Sequence, residues 1–336
     1  MNQTHMLREI LEIPAMLRRE AGNWQAQAKE IQTLRSNRPN VTLLGRGSSG
    51  NACTFGSYLF TLQTGRQPVE FRPWLTTQAL PDADWSDNVA MAFSASGHST
   101  DVTEALRWLK QRGALTVAVT GADGASPLAD LADKVFRLRC GPELAVPATK
   151  SFVAQLFAVA ALANYPVIEA AEQTATAMES LLKSDTVDKL ATFLHGAQTT
   201  AWVARGPSYA GALDAALKTQ ESLGKTTVAY SSAEFLHGPI AMFHPQDRVV
   251  IFSDADETMA SKQAVVTTLL ARKVPFITIG SDATHEAGLP LELPKQRWAR
   301  TAILAILSEL VCEELAKRMG LDADAPADLN KVTLTM

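Results

Sequence analysis

The sequence predicts an α/β protein made of two copies of one doubly wound, parallel-sheet domain, preceded by a helical lead-in. Three observations predict it. From residue 40 onward, short apolar runs alternate with amphipathic segments, the pattern of βαβ units whose strands are covered on both faces. Anchor segments recur at a constant offset of 159 residues: Arg46-Gly47 with Arg205-Gly206, Phe93-Ser94 with Phe252-Ser253, and Gly121 with Gly280. Finally, 336 residues with 46% apolar side chains suffice to fill two cores.

Residues 4 to 36 read as helical, with one helix over Met6–Ile13 and a second begun by Pro14. Strands are expected at Val41–Leu44, Val69–Phe71, Val89–Phe93, Leu115–Val119 and Val135–Leu138, each followed by Gly, Ser, Asp or Pro. A long helical stretch from Ala148 to about Leu182 leads into the second copy. The expected organisation is a lead-in over 1–39, a first domain over 40–165, a helical connector over 166–197, a second domain over 198–320 and a tail over 321–336.

Composition narrows the class of function. The chain carries 31 basic and 35 acidic residues, a net charge of −4, and the cations are scattered. That argues against nucleic acid or an anionic membrane as a partner. Cys53, Cys140 and Cys312 are too few and too far apart for a disulfide framework or a metal site. A reducing, cytoplasmic setting is expected, with no signal-peptide core at the N-terminus and no run of membrane-spanning length.

The candidate site begins at Ser94–Thr100, a strand-to-helix turn where Ser94, Ser96, Ser99 and Thr100 surround Gly97. Backbone N–H groups at a helix N-terminus together with hydroxyl donors suit a phosphate monoester, and an ordinary helix cap with spare serines is the alternative. In the second copy the same turn reads Ser253-Asp254-Ala255-Asp256-Glu257-Thr258, whose carboxylates would repel a phosphate. Only the first copy is expected to hold the anion. Lys218 and Glu221 share a helix face at i,i+3, either as a surface ion pair or with Glu221 as a general base. His237 precedes Gly238-Pro239 in a fixed turn and suits proton shuttling, whereas His5, His195, His244 and His285 have no comparable context. Lys331, in the tail, is either a solvated cation or an amine able to form an imine with a carbonyl sugar.

These segments together resemble the sugar isomerase (SIS) domain family, in particular its tandem branch. That branch includes the isomerase half of the glutamine:fructose-6-phosphate amidotransferases and the stand-alone amino-sugar phosphate deaminases. The resemblance covers Met6–Pro14 as the lead-in helix, then Gly45–Ser49, Ser94–Asp101, Glu143–Phe152, Leu217–Glu221, Glu234–Pro239 and Leu329–Thr333, in that order. It implies that Ser49, Ser94, Ser96 and Ser99 bind a sugar 6-phosphate, and that Ser48 with the backbone near Val146 and Ala148 holds sugar hydroxyls. It also implies Glu221 as the C1–C2 proton shuttle with Lys218 beside it, His237 as the ring-opening group supplied across a homodimer, and Lys331 as the imine-forming lysine. No metal or organic cofactor is implied. Ala95, His98, Ala327 and Asp328 depart from the synthase pattern, and the Lys331-Val332-Thr333 ending is closer to the deaminases. With no N-terminal glutaminase segment in the sequence, a glutamine-independent deaminase acting on glucosamine 6-phosphate is the expectation. A galactosamine 6-phosphate enzyme, a fructosamine-phosphate deglycase and a non-catalytic sugar-phosphate sensor are the alternatives.

Overall fold

The computed structural model describes residues 3–35, 37–79, 82–254, 256–283, 288–327 and 329–331. The first half runs α1 (His5–Leu11), α2 (Ile13–Leu34), β1 (Asn40–Leu44), α3 (Gly47–Thr64), β2 (Val69–Glu70), β3 (Asn88–Ser94), α4 (Thr100–Gln111), β4 (Leu115–Thr120), α5 (Pro127–Leu131), β5 (Lys134–Arg137) and α6 (Lys150–Leu162). The second runs α7 (Ile168–Lys183), α8 (Thr186–Leu194), β6 (Thr200–Ala204), α9 (Ser208–Leu223), β7 (Thr227–Ser231), α10 (Ser232–Leu236), β8 (Arg248–Phe252), α11 (Met259–Arg272), β9 (Phe276–Gly280), β10 (Gly288–Pro290) and α12 (Arg300–Met319).

Both sheets have five strands, all parallel, in the orders β2-β1-β3-β4-β5 and β7-β6-β8-β9-β10. The duplication extends to hydrogen-bond register. Thr42 pairs with Val69 and Ala201 with Val228, while Val41 pairs with Val89 and Thr200 with Arg248. Both pairings therefore carry the 159-residue offset seen in the sequence. The copies part at the fourth strand, where Ala90 pairs with Thr116 but Val249 with Phe276, a shift of one residue, and further at the last, where Val117 pairs with Lys134 but Thr278 with Gly288.

One compact unit comprises Ala15–Glu143, Lys150–Ala171 and the tail from Asn330, and contains β1–β5. Its central strands β1, β3 and β4 are buried on both faces because helices cover both. Leu44 packs with Val102 and Leu106 of α4, whereas Leu43 on the opposite face lies against Gly56 of α3, beside Val159 of α6. All seven residues of β3 are buried, each large side chain contributing about 1.5–3 kcal/mol by leaving water. β1 and β3 are adjacent, yet their crossovers lead to opposite edges, so the turns after them flank the switch point where ligands of such sheets bind. The helical stretch read as continuous from Ala148 to about Leu182 is two helices. Asn164 takes a left-handed φ of 69° and Pro166 removes a donor, so α6 ends at Leu162 and α7 starts afresh at Ile168.

The other unit comprises the segment ending at Pro14, Leu144–Thr149 and Glu172–Leu329, and contains β6–β10. Its core gathers Ala201, Val203, Phe235, Phe243, Val249 and Ile251. α12, mostly buried, packs on α9, α8 and α1. The first turn of α1 is tied down from far along the chain. The Asp324 carboxylate accepts the N–H groups of His5 and Met6 at 2.8 and 2.7 Å, and Thr4 Oγ1 accepts that of Leu7, satisfying donors that a helix start leaves open. Among the described residues no helix is long and apolar enough to cross a membrane.

Candidate functional site

In the β1–β5 unit, the turns after β1 and β3 present the predicted serines. Ser48 and Ser49 open α3 and are buried, with Gln155 Nε2 of α6 donating to Ser49 Oγ at 3.0 Å. Ser94 Oγ lies 3.1 Å from Ser99 Oγ and accepts the Gly97 N–H at 3.1 Å, while Ser96 Oγ accepts the His98 N–H at 3.2 Å. Ser99 occupies the N-cap of α4 but makes no capping hydrogen bond. The turn is stiffened instead by His98, whose Nδ1 is 2.7 Å from the Ser96 carbonyl, and by Arg46, which reaches Asp101 at 2.7 Å.

Gly97 is what lets this turn form. Its φ is 72°, and a Cβ there would meet Ser126 Oγ at 2.4 Å. Gly97→Ala is expected to cost about 1–3 kcal/mol and to displace Ser96. Thermal melts with and without inorganic phosphate check this: the variant should melt lower and lose most of any phosphate-dependent stabilisation.

Beside Ser96 is a cavity of about 300 Å³, lined also by Ala95, Asp123, Cys140, Glu143, Ser151 and Lys331. Lys331 is exposed, with its Nζ 2.9 Å from Glu143 Oε2. Cys140 is no nucleophile: burial pushes its thiol up to about 12, with Glu143 adding to the effect. Asp328, Val332 and Thr333 lie outside the described residues, as do Ala255 and His285.

The corresponding turn of the β6–β10 unit fills itself. Asp254 is paired with Arg300 and accepts from Ser281, Asp256 lies 3.2 Å from Lys262 Nζ, and Glu257 is paired with Arg297. The carboxylates expected to repel a phosphate thus have internal partners.

On α9, Lys218 Nζ donates to Glu221 Oε2 at 2.6 Å. This is not a surface pair, since Lys218 is fully buried and the Glu221 side chain is only 24% exposed. Burial by itself favours the neutral amine, but Asp214, Glu221 and Glu309 outweigh it and hold the Lys218 ammonium above the ordinary lysine value. Asp214 and Glu309 are themselves fully buried, on α9 and α12. Cys312, 3.6 Å from Thr219 Oγ1, is kept a thiol by burial, which pushes it up to about 12. His237 caps the C-terminus of α10 and is exposed. Val146 and Ala148 are partly buried, and the Val146 N–H is taken by the Asp324 carbonyl at 2.8 Å. Among the described residues no group of three His, Cys, Asp or Glu side chains is placed to hold a metal ion.

The SIS domain profile matches residues 33–165 and 193–288, which take in strands and glycine turns of both sheets. The chain belongs to the SIS domain family. It is similar to the isomerizing glutamine–fructose-6-phosphate aminotransferase of Pyrobaculum aerophilum, 28% identical over 344 residues, which cover 97% of this chain and 56% of that one. This SIS chain therefore spans about half the length of the curated relatives it matches. The glucosamine-6-phosphate deaminase of Thermotoga maritima has the same fold, with a TM-score of 0.77 at 20% identity over 99% of this chain and 100% of that one. So has the tagatose-6-phosphate ketose/aldose isomerase of Escherichia coli, with 0.82 at 17% identity over 97% and 96%.

Four polar residues of this SIS chain were not singled out from its sequence. Glu143 begins the Glu143–Phe152 motif without a role of its own, and Asp214 stands one helical turn before Lys218. Gln155 and Glu309 are polar residues inside the otherwise apolar helices α6 and α12. A buried polar residue on an apolar helix is the signal that marks both.

Proposed function

We propose that the chain is an amino-sugar 6-phosphate deaminase that converts glucosamine 6-phosphate and water to fructose 6-phosphate and ammonia. The observation that supports this reading is the cavity lined by both Lys331 and Ser96 of the Ser94–Thr100 turn. In this reading Ser49, Ser94, Ser96 and Ser99, with the N-terminus of α4, take the phosphate. Ser48 and the backbone around Val146 and Ala148 take sugar hydroxyls.

His237, exposed on one chain, opens the sugar ring in the site of a second copy, which makes the working unit a homodimer. Glu221 carries the C2 proton to C1, leaving an imine at C2. Lys218, held as an ammonium, orients the Glu221 carboxylate and does not compete with it as a base. Lys331 exchanges with the C2 nitrogen, ammonia leaves, and water releases the ketose.

The test is ammonia release without glutamine from glucosamine 6-phosphate, galactosamine 6-phosphate and a phosphorylated fructosamine bearing an amino acid. Ammonia together with fructose 6-phosphate, fastest from the first, is expected. A faster second substrate would reassign the epimer, and release of the amino acid would make the enzyme a deglycase. Tight binding with no turnover of any of them would make it a sensor.

A further inference from the structure

We infer that Glu143 positions Lys331 and takes its proton, so that the tail lysine becomes a free amine only inside the filled cavity. This rests on the proposed imine role of Lys331. Glu143 Oε2 accepts from Lys331 Nζ at 2.9 Å and from Ser151 Oγ at 2.7 Å, and Oε1 accepts the Ser151 N–H at 3.0 Å. Ser151 is the second residue of the wholly buried helix α6, so the carboxylate is anchored to a rigid element at a helix N-terminus. Its side chain is 6% exposed. Both partners line the cavity that Ser96 also lines.

An ammonium has no lone pair, so Lys331 must lose a proton before it can attack carbon. Glu143 is the base in contact with it. Burial favours the protonated carboxyl of Glu143, and the Lys331 charge together with the two Ser151 hydrogen bonds holds it below the usual carboxylate range. When substrate displaces water, proton transfer removes both charges from a poorly solvated site, and burial then favours the acid. Asp123, Cys140 and Lys150 are the other titratable groups around Glu143 and Cys140, and Cys140 stays a neutral thiol.

The step balances as follows. A proton passes from Lys331 Nζ to Glu143 Oε2. The freed lone pair forms an Nζ–C2 bond as the C2=N π pair moves onto the sugar nitrogen. Glu143 returns the proton to that nitrogen and relays a second one to it from Nζ, now bonded to C2; the C2–N bond then breaks as the Nζ lone pair forms the Lys331–C2 imine, and ammonia departs. Water adds to the Lys331 imine, releasing the ketose and the amine.

Reductive trapping tests this. Fructose 6-phosphate with cyanoborohydride should leave a secondary amine on Lys331, located by peptide mass, at a rate followed from pH 6 to 10. Glu143→Gln is expected to slow trapping about 10²-fold at pH 7 and to recover most of that loss toward pH 10, where hydroxide replaces the carboxylate. Glu143→Asp should restore the rate to within about tenfold of wild type. A folded Glu143→Gln that traps within twofold of wild type at every pH overturns the inference. If that variant fails to fold, Ser151→Ala decides: slower trapping with the same alkaline recovery supports the inference, and an unchanged rate overturns it. Ammonia release by a wild type that forms no Lys331 adduct would overturn this inference and the lysine's role together. Adduct formation unaffected by Glu143 would overturn the inference alone.

Discussion

Glu221→Gln is expected to slow deamination of glucosamine 6-phosphate by about 10²–10⁴-fold, the range of a positioned general base. The amide keeps the shape of the side chain and can still accept from Lys218 Nζ, so structure should change little. It cannot carry a proton from C2 to C1. Calorimetric affinity for the sugar phosphate should stay within a few-fold of wild type, because the serines assigned to the phosphate are untouched. A variant as fast as wild type would remove Glu221 from the mechanism. A loss confined to affinity would make it a binding group.

Lys218→Met is expected to produce the largest loss of stability. Methionine approximates the alkyl stem but brings no charge, leaving Asp214, Glu221 and Glu309 around a buried position without their cation. Breaking a buried charge set by removing one partner costs about 3–5 kcal/mol. For a unit of this size that lowers the melting temperature by roughly 10 °C. The pH dependence follows from the raised ammonium value. The stabilisation by Lys218 is fully present below the unfolded lysine value of about 10.5 and fades only as pH climbs through the higher folded value. The variant's deficit should therefore persist at pH 7–9. A melt indistinguishable from wild type at pH 8 would mean that the cluster relaxes without its lysine.

The centres of the sheets were legible in the sequence because strands such as β1, β3, β4, β6 and β8 are buried on both faces. Val89–Phe93 is an unbroken apolar run, and its observed strand, Asn88–Ser94, exceeds it by one residue at each end. The duplication was legible because the copies preserve spacing from the first strand through the third. The helix break near Asn164 was locally signalled by Tyr165-Pro166, yet the apolar residues on both sides carry a helical pattern across it.

Site chemistry was legible where it sits in a turn, as at Ser94–Thr100, or within one helix, as at Lys218 and Glu221. The Lys331–Glu143 pair joins residues 188 apart. No local periodicity encodes such a contact. Glu309 stands within a helix whose pattern marks it only as buried, and its proximity in charge to Lys218 arises from the packing of α12 on α9.

The self-filled turn at Asp254 changes how this duplicated chain responds to substrate. A ligand stabilises what binds it by an amount that grows with the logarithm of its concentration. Arg300, Lys262 and Arg297 already answer the carboxylates of the β6–β10 turn, so that turn has little to gain from an added anion. If the phosphate binds at Ser94–Thr100, as proposed, ligand-linked free energy accrues to one copy only. On that assignment, two copies whose register matches through the third strand become thermodynamically unequal as sugar phosphate rises, one tuned by supply and the other constant.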